Sequence, residues 1–112
     1  ETKMSIAYIG NILYDEKLFK DESKIVIFGT GVCGKKVAEY LIKNCMKDNI
    51  ICFCDSNGKL INNNIMGIKV WNPVEVCKKL SSAEYLISGK YSHEMYAFLK
   101  EKQIEKIHIL VF

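Results

Sequence analysis

The sequence predicts an α/β domain of three layers, α/β/α, whose central sheet has five parallel strands in the order 3-2-1-4-5. Two observations predict this fold. Short, continuous apolar runs alternate along the chain with segments in which apolar residues recur at helical spacing. The apolar runs also lack the polar alternation of a half-exposed strand, which favours strands that helices cover on both faces, joined by right-handed crossovers.

An additional helix is predicted at the amino-terminal end. Apolar residues recur at near-helical spacing from Ile6 to Leu18, so residues 4–20 are predicted to form an amphipathic helix. We therefore divide the chain into a helical lead-in, residues 1–23, and a main domain, residues 24–112.

The main domain is predicted to alternate five strands with three helices. The apolar runs that predict the strands are residues 24–28, 50–54, 68–71, 85–87 and 107–111. Helical spacing follows the first, third and fourth runs, and it predicts helices that end near residue 47, at Leu80 and at Gln103. Asn72 and Ser92 are the side chains expected to cap the second and third helices.

The composition excludes several classes of protein. The 112 residues are 49% hydrophobic and 26% charged, as in one ordinary globular domain. The net charge of +3 is dispersed and gives no basic run for nucleic acid. Polar residues interrupt every apolar stretch before it reaches the roughly 20 residues of a membrane span. The five cysteines lack the spacing of a zinc site or a disulfide framework, so we expect reduced thiols in a cytoplasmic protein and no bound metal.

The clearest functional motif is G-x-G-x-x-G, formed by Gly29, Thr30, Gly31, Val32, Cys33 and Gly34 and called the glycine turn below. It lies between a predicted strand and a predicted helix, the context in which this motif binds a nucleotide diphosphate. Gly29 allows the tight turn, Gly31 lets the backbone approach the phosphates, and Gly34 lets the helix pack closely on the strand. The amides and positive dipole end of that helix then face the anion, so we predict that all six residues contact the nucleotide.

An acidic residue is expected at the end of the second strand, where it accepts hydrogen bonds from ribose hydroxyls. Asp55 ends that strand 21 residues after Gly34, and Ser56 follows it. No arginine follows to accommodate a 2′-phosphate, so NAD or a UDP-linked nucleotide sugar is favoured over NADP. Ser88 and Gly89, at the end of the fourth strand, are further predicted contacts.

These features are together typical of a Rossmann-type domain. The residues around the glycine turn (27–34), the strand end 52–55 and the stretch 66–75 resemble the Rossmann-type domains of bacterial surface-polysaccharide enzymes. The resemblance covers residues 24–112. The similar domains include the amino-terminal domains of sugar O-acyltransferases of the sialic-acid and bacillosamine type and the NAD-binding domains of nucleotide-sugar dehydratases. Related modules occur in some glycosyltransferases and methyltransferases.

The resemblance implies a binding domain within a larger enzyme, whose catalytic residues lie in other domains of the same polypeptide. No catalytic residue transfers to this chain. Two alternatives stay open. The chain is the NAD-holding half of a nucleotide-sugar dehydratase or dehydrogenase with its catalytic residues elsewhere, or it is a degenerate Rossmann domain that docks a partner and binds no ligand.

Overall fold

The computed structural model describes residues 3–8 and 22–112. These residues form seven β-strands and three α-helices. In chain order the elements are β1 (Lys3–Tyr8), β2 (Ile25–Phe28), α1 (Val32–Lys43), β3 (Ile50–Cys54), β4 (Asn64–Ile65), β5 (Ile68–Trp71), α2 (Pro73–Lys79), β6 (Glu84–Ser88), α3 (Ser92–Glu101) and β7 (Lys106–Val111).

The strands form a mostly parallel sheet in the order β1-β7-β6-β2-β3-β5-β4. Six strands run parallel to one another, and β4 runs antiparallel to its neighbour β5. The predicted α/β class is confirmed, but the predicted count and order of strands are wrong, because β1 extends the sheet beyond β7 and β4 extends it beyond β5. The five predicted strands lie between these two, in the relative order β5-β3-β2-β6-β7.

Strand β1 replaces the start of the predicted amino-terminal helix. Residues Lys3–Tyr8 pair in parallel with β7. The helix prediction is therefore wrong for residues 4–8, and residues 9–20 of that helix lie outside the described residues. The edge of β7 would otherwise present unpaired amide and carbonyl groups, and hydrogen bonding to that edge outweighs a weak local helical pattern.

Apolar cores lie on both faces of the sheet, because alternate residues of a strand point to opposite sides. In β2, Ile25 and Ile27 pack in a cluster with α1, whereas Val26 and Phe28 pack in a cluster with α2 and α3. All four side chains are buried. The continuous apolar run of β2 therefore contributes to two cores at once, as predicted for a strand that is covered on both faces.

Of the two predicted helix-capping residues, one caps its helix and the other does not. Asn72 caps α2 as predicted, because its side-chain oxygen accepts a hydrogen bond of 2.8 Å from the Val74 amide. The prediction for Ser92 is wrong, since Tyr91 occupies the position before α3. The Ser92 hydroxyl instead donates a hydrogen bond of 2.7 Å to the carbonyl oxygen of Gly89.

Helix α2 ends at Lys79, one residue before the predicted end, and the other two helices end earlier than predicted by two or more residues. Helix α1 ends at Lys43 and α3 ends at Glu101. Shortly after these ends, Cys45 and Gln103 adopt φ angles of 64° and 63°. Left-handed residues of this kind commonly end α-helices, and apolar spacing alone does not reveal them.

A buried carboxylate, that of Glu84, lies at the amino end of β6. The Nε2 atom of His108 lies 2.7 Å from Oε1 of Glu84, and the Nζ atom of Lys106 lies 3.3 Å from Oε2. Glu84 and His108 are both buried. The pairing with His108 supplies the buried Glu84 carboxylate with a hydrogen bond at the amino end of β6.

Candidate functional site

A cleft of about 1110 Å³ opens at the carboxyl ends of β2, β3 and β6. The chain crosses from β2 to β3 on one side and β6 lies on the other side, so the cleft lies where the strand order changes direction, a common ligand-binding position in parallel sheets. All ten residues that the sequence predicts for the site line this cleft: Gly29, Thr30, Gly31, Val32, Cys33, Gly34, Asp55, Ser56, Ser88 and Gly89.

The glycine turn is fixed to the neighbouring strand and to the helix that follows it. Gly29 has a φ of +100°, a conformation that side-chain-bearing residues rarely adopt, and its amide donates a hydrogen bond of 2.7 Å to the carbonyl oxygen of Cys54. Gly34 lies directly against the carbonyl oxygen of Gly29, so a β-carbon at position 34 would overlap that oxygen. The predicted packing role of Gly34 is therefore confirmed.

Gly31 leaves open space at the start of α1. It occupies the N-cap position in an extended conformation, and a β-carbon built on it meets no described heavy atom within 4 Å. The first helical hydrogen bond runs from the Lys35 amide to the Gly31 carbonyl oxygen at 3.0 Å. The earlier amides of the first turn lack acceptors inside the helix, and that turn contains no acidic residue. This geometry suits an anion in the open space.

The Asp55 carboxylate lies between the glycine turn and the loop that follows β3. Its Oδ2 atom accepts hydrogen bonds from the Thr30 amide at 3.0 Å and from the Thr30 hydroxyl at 2.7 Å. Its Oδ1 atom accepts a hydrogen bond of 2.9 Å from the Asn57 amide. Asp55 therefore lies in the predicted cleft, with both of its oxygens already bonded to protein groups.

The loop after β6 closes the other side of the cleft. Gly89 adopts a φ of +87°, and a β-carbon there would lie 3.4 Å from both Cβ and Sγ of Cys33 on α1. Ser88 at the strand end is buried. The two loops that the sequence identified separately are thus in contact with each other.

Sequence reasoning missed much of the α3 side of the cleft. Residues that line it without having been predicted are Phe28, Asn57, Pro73, Lys90, Tyr91, Glu94, Met95 and Phe98. Phe28 and Phe98 meet edge to face, with ring centroids 5.7 Å apart. The five of these residues that follow Gly89 could have been located from the sequence, because they come directly after the carboxyl end of a central strand and must border the same crevice.

The charges in the cleft are few. Its lining contains the carboxylates of Asp55 and Glu94 and the ammonium group of Lys90. The Lys90 Nζ atom lies 5.1 Å from the centre of the Tyr91 ring, at the exposed mouth of the cleft. An anionic ligand would therefore find its favourable charge at Lys90 and at the amino end of α1.

Three buried thiols are not among the residues that line the cleft and lie in the core that α2 and α3 cover. Burial raises the pKa of the Cys52 thiol from 9.0 to about 12 and also raises the pKa of Cys54 and Cys77. Thiols that keep their protons are poor nucleophiles and poor metal ligands. Cys52 and Cys54 are completely buried and pack as small apolar residues of this core.

Among residues 3–8 and 22–112, no group of three or more His, Cys, Asp or Glu side chains is placed to hold a metal ion. No helix in the described part of the chain has both the length and the apolar character that crossing a membrane requires. The sequence matches no protein-family model and no curated protein. The geometry of the cleft and the residues that line it are therefore the features of this chain that bear on its function.

Proposed function

We propose that this chain is a Rossmann-type nucleotide-binding domain that holds NAD or a UDP-linked nucleotide sugar. The main support is the convergence of the glycine turn, the loop after β3 and the loop after β6 on one cleft. These are the three segments at which dinucleotide-binding domains contact their ligand. The strand order is Rossmann-like in its central five strands, with one added strand at each edge.

The volume of the cleft supports a ligand larger than a mononucleotide, such as a dinucleotide or a nucleotide sugar. Pockets for small molecules usually measure about 300–1,000 Å³, and this cleft, at about 1110 Å³, lies slightly above that range. A mononucleotide would leave much of it empty. A dinucleotide or a nucleotide sugar would extend from the side of Asp55 and Ser56 across the glycine turn to the side of Tyr91 and Met95.

The diphosphate is assigned to the open space beside Gly31. The amides of residues 32–34 would donate hydrogen bonds to its oxygens, and the amino end of α1 would contribute a partial positive charge. Lys90 would supply a full positive charge from the opposite loop. NAD, when bound, supplies a hydride acceptor, and the residues of this chain hold and orient it.

We further propose that the domain works within a larger enzyme of bacterial surface-polysaccharide biosynthesis, in the cytoplasm. The resemblance of residues 24–112 to the Rossmann-type domains of acyltransferases, glycosyltransferases and nucleotide-sugar dehydratases supports this role. In such an enzyme the domain contributes binding energy and orientation, while other domains of the same polypeptide carry out the reaction.

The proposal is tested by calorimetric titration of the chain with NAD, NADP, UDP and UDP-N-acetylglucosamine. We expect NAD or the UDP compounds to bind, and NADP to bind more weakly than NAD because the Asp55 carboxylate repels a 2′-phosphate. Gly31→Val is expected to abolish binding with little change in the urea midpoint, since its branched side chain would occupy the phosphate space. Gly31→Ala, with a smaller side chain, provides a graded comparison. Equal affinity in folded Gly31→Val would refute the site, and absence of binding by all four compounds would refute the function.

A further inference from the structure

The Thr30–Asp55 pair shapes the cleft in a way that the glycine motif alone does not predict. Thr30 is 6% exposed, and its amide and hydroxyl both donate hydrogen bonds to the same oxygen, Oδ2 of Asp55. The two residues lie 25 positions apart in sequence. The pair therefore fastens the glycine turn to the residue that ends β3.

The remaining bonding capacity of Asp55 is small. A carboxylate offers about four lone-pair positions, two on each oxygen. Thr30 occupies two positions on Oδ2, and the Asn57 amide occupies one position on Oδ1. Recognition of a ribose cis-diol needs one free position on each oxygen, so the carboxylate, as bonded in this structure, does not fit that role.

A ribose hydroxyl could reach Oδ2 only by displacing the Thr30 hydroxyl. The new bond would be of the same charge-assisted kind as the bond that it replaces, and the buried Thr30 hydroxyl would lose its acceptor. The exchange therefore yields no net gain in affinity from the second hydroxyl of the diol.

We propose that Asp55 is a positioning residue that holds the glycine turn, and that the cleft consequently does not discriminate between ribose and 2′-deoxyribose. This inference rests on the proposed nucleotide-binding function. It differs from the expectation that the sequence motif raises for Asp55, which is direct recognition of the ribose diol.

The inference is tested with two matched pairs of probes, UDP with 2′-deoxy-UDP and ADP with 2′-deoxy-ADP, titrated into the 112-residue chain. For the pair that binds, we expect dissociation constants that agree within about twofold. Thr30→Val keeps the shape of the side chain but frees one position on Oδ2, so it should introduce a preference for the ribonucleotide of about fivefold or more. Thr30→Ser keeps the hydroxyl and should retain the wild-type ratio between the dissociation constants of the 2′-deoxyribonucleotide and the ribonucleotide. Both constants are measured on the same variant, so a loss of affinity that affects both nucleotides equally leaves the ratio unchanged.

Three outcomes decide the matter. A wild-type preference for the ribonucleotide of about fivefold or more would overturn the inference and leave the nucleotide-binding function intact. An unchanged ratio in Thr30→Val would also overturn it, because Thr30 would then not be what keeps Asp55 from the sugar. Absence of binding by UDP, ADP, NAD, NADP and UDP-N-acetylglucosamine alike would overturn the proposed function, and the inference with it.

Discussion

Gly34, in the first turn of α1, lies against the carbonyl oxygen of Gly29 so closely that a β-carbon at position 34 would overlap it. The contact joins the start of the helix to the start of the glycine turn. Because backbone cannot move aside as a flexible side chain can, the site depends on this glycine for its shape as well as for its fold.

We expect Gly34→Ala to lower the free energy of unfolding by about 2–3 kcal/mol, since an overpacked backbone contact outweighs the gain of about 1 kcal/mol from replacing a helical glycine. Urea denaturation measures the change. Gly58→Ala is the control, because a β-carbon there meets no described heavy atom within 4 Å. A fully stable Gly34→Ala protein would show that α1 does not pack on the turn as described.

The Thr30–Asp55 bond should appear as a coupling energy in the absence of any nucleotide. In a double-mutant cycle of Thr30→Val with Asp55→Ala, we expect the two losses of unfolding free energy to be non-additive by about 1.5–3 kcal/mol, the contribution of one hydrogen bond to a charged group. The same cycle with Glu94→Ala in place of Asp55→Ala should be additive. Additivity in both cycles would contradict the positioning role of Asp55.

Stability should fall at alkaline pH because of the buried thiols. The folded-state pKa of Cys52 is raised from 9.0 to about 12 by burial, and burial also raises that of Cys54 and Cys77. The unfolded chain therefore releases these protons first, so the stabilisation is fully present below pH 9.0 and is lost as the pH rises towards about 12. The slope should approach about 1.4 kcal/mol per pH unit for each thiol.

Urea denaturation under reducing conditions between about pH 8 and about pH 10.5 measures that slope. Cys52→Ala should flatten it by the share of one thiol. The control is Val26→Ala, which removes a buried side chain of the same cluster that does not titrate. It should lower stability at every pH and leave the slope unchanged. Equal slopes in Cys52→Ala and the wild type would contradict the prediction.

A two-residue turn joins β4 to β5 and contains an unfavourable residue. Met66 and Gly67 have φ angles of 57° and 76°, and Ile65 pairs with Ile68 across the turn. Such turns favour Asn followed by Gly. Since Met66 is 37% exposed, Met66→Asn should raise the free energy of unfolding by about 0.5–1 kcal/mol. Met66→Leu, which keeps an apolar side chain in the same conformation, should give no such gain.

The same turn explains part of what the sequence does not predict. Strand β4 has only two residues, Asn64 and Ile65, and Met66 stands where a typical hairpin turn would have Asn. Neither strand periodicity nor turn composition therefore marked it. Strand β1 was missed for a different reason, because apolar spacing over residues 4–20 favours a helix locally, whereas pairing with β7 is a long-range interaction that no local pattern encodes.

The candidate site also contains residues that local sequence motifs predict and contacts that they do not predict. Glycine spacing and the position of Asp55 predicted one side of the cleft, because that motif is local and each glycine has a distinct steric role. The bonds from Thr30 to Asp55 depend on how two loops meet, and the sequence gives no sign of them. Lys90, Tyr91 and Glu94 were not predicted, because the predicted contacts in this part of the chain ended at Ser88 and Gly89.

The pairing of β1 with β7 sets an order of assembly. Lys3 lies opposite Lys106, 103 residues later, whereas Ile25 of β2 lies opposite Ile50 of β3. Closing a flexible loop of about a hundred residues carries an entropic cost of about 4 kcal/mol. The cost is smaller for the pairing of β2 with β3, because the loop between these strands is shorter. The central strands are therefore expected to associate first, and β1 to join an edge that they have already formed. On this pathway β1 has little influence on the folding rate, and its hydrogen bonds act mainly to slow unfolding.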